Sequence, residues 1–179
     1  MSIRLLNVAD FEMIPDEMFP FLVLTDNLSS WLSWKIKNHS HGFYSHSMWM
    51  TRNGIVATQG WMYKEQSIYD FLKGNHRVKL WFSPDWGTLD RARIKRRINE
   101  RLAETKRALR YDWIGIIGQA LGFRKLNLKG RSYCSEESAS VLAVVEPFGI
   151  EHPTPADLDA WCREHEQMAV YGVYDPSLI

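Results

Sequence analysis

Two side chains of this sequence have the types needed for nucleophilic chemistry, Cys134 and His46. Cys134 sits in Tyr133-Cys134-Ser135-Glu136, just before an apolar stretch, residues 138–145, that reads as a helix. A thiol at a helix N-terminus faces unpaired backbone N–H groups and the positive end of the helix dipole. Both favour the thiolate, the form that attacks carbonyl carbon. A cysteine hydrolase also needs a base to hold the thiol proton and a third group to orient that base. His46, in Tyr44-Ser45-His46-Ser47-Met48, is the candidate base. The third group should sit on a neighbouring strand. Asn53-Gly54 marks a hairpin that folds Thr58 and Gln59 back beside His46.

Each residue type also has a plainer role. Free cysteines are mostly inert packing, and a strand histidine is most often hydrogen-bonded filler. His39 and His41 compete with His46 for the role of base. The three histidines invite a metal reading, but no Cys-x-x-Cys or His-Glu-x-x-His spacing accompanies them. The expectation is no metal and no cofactor.

The elements that must position these residues follow from pattern. Phe21 to Thr25 is a short apolar run, and Asp26 or Asn27 is expected to cap a short helix through Ile36. Tyr44 to Thr51 and Ile55 to Thr58 are the hairpin strands, and Arg77 to Phe82 is a further strand. Thr88 or Asp90 starts a long helix to about Arg110, with Ile94, Ile98, Leu102 and Leu109 as its stripe. Trp113 to Leu121 reads as another short helix. The Cys134 helix is expected to end at Pro147 and Gly149. A last helix begins at Thr154-Pro155 and runs to about Glu166, and residues 169–174 are expected to close the sheet as an edge strand. Antiparallel strands with segregated helices give an α+β class.

The totals frame the function. The 179 residues fit one domain, 1–179, and 45% hydrophobic content fits a packed core. Net charge +1 exerts no global pull toward nucleic acid or an anionic membrane, and two cysteines are too few for a disulfide framework. No apolar leader or membrane span is visible, so a cytoplasmic location is expected, with no transmembrane segment. Residues 90–110 carry nine Lys/Arg against three acids. That face could bind nucleic acid, but a solvated outer helix face explains it as well.

These residues, in this order, resemble the YiiX-like group of permuted papain-fold hydrolases, relatives of the NlpC-type peptidases and of lecithin retinol acyltransferase. The matching pieces are the strand Phe21 to Thr25, the helix Ser30 to Lys37, Tyr44-Ser45-His46, the hairpin to Thr58, Tyr111-Asp112, Tyr133-Cys134-Ser135-Glu136 and Pro153 to Leu158. The resemblance covers roughly residues 20 to 160. It implies a small antiparallel sheet packed against helices, with the histidine strand preceding the cysteine helix. It implies Cys134 as nucleophile, His46 as base, and Thr58 at the third position, where the family often has Glu or His. Gln59 stands next to it, and its chemistry suits the role better, so the choice stays open. Tyr133 and Asp112 are candidate site walls that contact substrate. The Gly-Asp pair that often opens the family's first strand is missing.

The expected function is hydrolysis of an amide in a peptide, isopeptide or cell-wall peptide, or of an ester, through a Cys–His acyl-enzyme. The expected partner is a peptide, cell-wall or lipid-type acyl substrate. The alternatives are an inactive papain-like binding module and a nucleic-acid-associated protein using the 90–110 helix.

Overall fold

The computed structural model describes residues 4–52, 54–59, 62–107 and 134–178. Seven strands form one mixed sheet in the order β1-β7-β6-β2-β3-β4-β5. The strands are β1 (Leu5–Leu6), β2 (Phe21–Asn27), β3 (His46–Thr51), β4 (Gly54–Gln59), β5 (Met62–Gln66), β6 (His76–Phe82) and β7 (Ala169–Tyr174). The helices are α1 (Trp31–Ser40), α2 (Ile68–Leu72), α3 (Thr88–Arg107), α4 (Cys134–Leu142) and α5 (Pro155–Glu164). The class is α+β. The sheet is mixed rather than purely antiparallel because β1 joins β7 in parallel.

The period-2 alternation of the strands gives the sheet two apolar faces. On one, Phe21, Val23, Met48, Met50, Val78 and Leu80 pack with Phe11, Ile14, Phe71 and Leu72. On the other, Leu22, Leu24, Trp49 and Trp81 pack beneath the helices. Those helices contribute Ile94 and Ile98 from α3, Val141 and Leu142 from α4, and Leu158 and Cys162 from α5. Central strands buried on both sides read as continuous apolar runs, which is why Phe21-Leu22-Val23-Leu24 is so visible in the sequence.

Several expectations are corrected. Ser30, not Asp26 or Asn27, caps α1, its hydroxyl accepting from the Ser33 N–H. Asp26 and Asn27 instead extend β2. Asp26 is fully buried and needs a partner for its charge, which Lys37 Nζ supplies at 2.5 Å. The cysteine helix ends at Leu142, before the expected Pro147. β7 lies between β1 and β6 and is not an edge, because Leu5 and Leu6 pair with Val173 and Tyr174. A two-residue strand leaves too short a pattern to read. β5 and α2 carry little sequence signal, since Met62 to Gln66 lacks the apolar alternation that marks a strand and α2 is only five residues long.

Other elements match their signals. Thr154 caps α5 in a capping box with Asp157, and Pro155 takes the first turn. At the β4 start, a Cβ on Gly54 would meet the Gln66 carbonyl oxygen at 2.3 Å. The hairpin therefore requires glycine because the β5 backbone passes too close for a side chain. Leu109, Arg110 and the expected helix from Trp113 to Leu121 lie outside the described residues.

Candidate active site

β3 delivers His46 as its first residue, and α4 delivers Cys134 as its first. The start of β3 is fastened from two sides. The Ser45 N–H donates to the Thr25 carbonyl at 3.0 Å, and the Ser45 hydroxyl donates to Asp26 Oδ1 at 3.2 Å. α4 is fastened onto β3 by the Trp49 indole N–H, which donates to the Ser138 carbonyl at 3.3 Å. Arg101 of α3 grips the buried Glu137 carboxylate, with Nε at 2.6 Å from Oε2. These contacts hold strand and helix in fixed register.

The result is direct contact. The His46 imidazole hydrogen-bonds the Cys134 thiol, and the backbone N–H groups of Ser47 and Ser135 also point at the sulfur. Cys134 is buried, 7% exposed. Burial pushes the thiol up, and it is the largest single influence. The His46 charge, its hydrogen bond and the two N–H donors together outweigh burial and hold the thiol below its ordinary value. Cys162 is the internal contrast. There burial, reinforced by the Asp159 charge, pushes the thiol far up.

The contact is made at an end of the sheet. Strand alternation puts Ser47 and Trp49 toward α4 and puts His46 on the side of Met48 and Met50. β3 is paired with β4 over Trp49–Thr51. Ser47, whose N–H points at the sulfur, lies before that stretch. The choice between Thr58 and Gln59 for the third position therefore stays open. The side chains of Thr58 and Gln59 lie outside the described residues, as do Tyr133 and Asp112 altogether.

The structure adds a neighbour that the sequence did not single out. His76 opens β6 and pairs with Asn27. Its ring stacks on Phe71, with centroids 4.0 Å apart. Burial holds its pKa below the usual histidine value, the His46 charge lowers it further, and Asp26 partly opposes them. His76 is therefore a second imidazole within electrostatic reach of the first. His39 and His41 belong to α1 and its C-terminal cap.

Chemically, a thiol held below its usual pKa, a bonded imidazole and a helix N-terminus are components that acyl transfer requires. Among the described residues, no group of three or more His, Cys, Asp or Glu side chains is arranged to hold a metal ion. No helix among them is long and apolar enough to cross a membrane.

No family model and no curated protein matches the chain. A solved structure does. The chain is similar to metalloprotein YiiX from Escherichia coli, with a TM-score of 0.56 and 13% identity over 87% of this chain and 97% of that one. The two proteins share a fold. The word metalloprotein describes that protein.

Proposed function

We propose that the chain is a cysteine hydrolase that cleaves an amide or ester through an acyl-enzyme on Cys134. The observation that carries this reading is the hydrogen bond between His46 and a buried thiol whose pKa is held down. The Cys134 thiolate attacks the substrate carbonyl carbon and forms a C–S bond. The carbonyl oxygen takes the negative charge beside the N-terminus of α4. As the tetrahedral adduct collapses, the C–N or C–O bond breaks and the His46 imidazolium gives its proton to the leaving group. His46 then takes a proton from water, which attacks the thioester. The products are a carboxylic acid and the free thiol.

Within this proposal the fold is that of permuted papain-like hydrolases, and Thr58 or Gln59 orients the His46 ring by hydrogen bonding, as an uncharged amide does in Cys–His–Asn triads. Tyr133 and Asp112 line the substrate side. The substrate is an amide of the peptide, isopeptide or cell-wall type, with a lipid-type ester as the other acyl source.

A nucleic-acid role for the basic helix has less support. On α3, Arg93 pairs with Asp90, Arg96 and Arg97 with Glu100, and Arg101 with Glu104. Four of the nine cations are thus engaged with the three acids of the helix itself.

The deciding test is an acyl-directed activity probe followed by mass mapping. An adduct on Cys134 that disappears in His46→Ala supports the reading. No adduct, or one on Cys162, overturns it.

A further inference from the structure

The most voluminous of the described pockets is an open cleft away from Cys134, beneath α5 and against β6 and β7. It measures about 780 Å³, within the range of small-molecule sites. Its walls include the rings of Tyr44 and Trp81 and the aliphatic Val173, and three cations, Arg77, Lys79 and Arg163, reach it.

The charges are organised behind the wall. Asp159 Oδ1 accepts from Lys79 Nζ at 2.8 Å and from Trp81 Nε1 at 3.0 Å. Its Oδ2 meets Arg163. Arg77 Nε donates to Asp175 Oδ2 at 2.7 Å. Three cations therefore share two carboxylates, which leaves one surplus positive charge at the pocket. Lys79 is only 5% exposed, and its Nζ stands 4.3 Å from the Trp81 ring centroid and 5.8 Å from that of Tyr44. A buried ammonium gains from a nearby anion. Burial already pushes the Lys79 pKa down, and Asp159 only partly restores it.

We propose that this pocket binds a small aromatic carboxylate, the ring between Tyr44, Trp81 and Val173 and the carboxylate on Lys79, Arg77 and Arg163. The aromatic walls favour a flat apolar body. The guanidinium groups supply the planar donors that match a carboxylate. The site involves none of the groups at Cys134 and does not depend on the hydrolase reading.

The test is calorimetric titration of the full chain with naphthoate and with neutral naphthalenemethanol. The carboxylate should bind at least about 10-fold more tightly than the alcohol, a difference expected of a desolvated charge contact. Lys79→Met and Arg163→Gln should each remove most of that preference, and Cys134→Ala should leave it unchanged. Arg163 is half-exposed, so its variant decides the matter if Lys79→Met does not fold. Equal affinity for acid and alcohol, or no binding at millimolar ligand, overturns the proposal. So does a preference that survives Arg163→Gln, or one that is lost with Cys134.

Discussion

The imidazole of His46, the first residue of β3, hydrogen-bonds the thiol of Cys134, the first residue of α4, across 88 positions of sequence. Neither residue is placed by its own neighbours alone. Ser45 and Asp26 set the strand end, and Trp49 and Glu137 set the helix. The first consequences concern the sulfur.

Cys134 and Cys162 should react very differently. Both are buried, but one thiol is held below its ordinary value and the other pushed far above it. Iodoacetamide at neutral pH should alkylate Cys134 at least about 10-fold faster, because the thiolate is the reacting species. The pH profile for Cys134 should have its midpoint below the ordinary cysteine range. Equal, slow labelling of both, read by peptide mass mapping, would contradict this.

His46→Ala removes both the charge and the hydrogen bond that oppose burial. The Cys134 pKa should then rise, and the alkylation midpoint should move to higher pH. Turnover of any acyl substrate should fall by about 10²–10⁴, the usual contribution of a general acid–base. An unchanged alkylation profile in this variant would show that the imidazole does not govern the thiol.

Trp49→Phe loses the donor to the Ser138 carbonyl and part of a fully buried indole. The expected cost is more than about 1 kcal/mol of stability, the hydrogen bond plus the cavity left behind, measured by urea unfolding. Because that bond holds α4 on β3, alkylation of Cys134 should also slow. A stability loss with unaltered Cys134 reactivity would mean that the seam holds without it.

Asp159→Ala strands the buried Lys79 ammonium, and such a loss typically costs about 3–5 kcal/mol. The deficit has a direction with pH. Lys79 already lies below its ordinary value through burial, with Asp159 opposing. Without Asp159 it falls further, so the unfolded chain binds the proton more readily than the native one. Stability of the variant should therefore rise toward wild type as pH approaches the free-lysine value of about 10.4. Chemical denaturation at neutral and alkaline pH reads this directly.

Gly54→Ala places a methyl group against the Gln66 carbonyl. The strain falls on the β4–β5 pairing and should cost more than about 1 kcal/mol, seen as a lower thermal midpoint. A neutral result would mean that β5 moves aside freely.

The elements easiest to read were those whose signals are local. The Phe21–Thr25 part of β2, the Ile94 and Ile98 stripe of α3 and the Thr154 cap with Pro155 each declare themselves within a few residues, because burial period and cap chemistry are short-range. The misreadings were also local in origin. Asp26 looks like a helix cap, and only the approach of Lys37 makes it a buried strand residue. β7 looks like an edge until Leu5 and Leu6 pair beside it.

By itself the sequence determined that a thiol opens an apolar helix, that a histidine stands near the start of a strand, and that an α+β fold carries both. Composition, periodicity and helix-end electrostatics suffice for that. Only tertiary structure decided that these two side chains meet and that Lys79 and Asp159 form a buried pair beside a pocket. Each of those depends on strand order and helix packing between residues far apart in the chain, where no short-range pattern reaches.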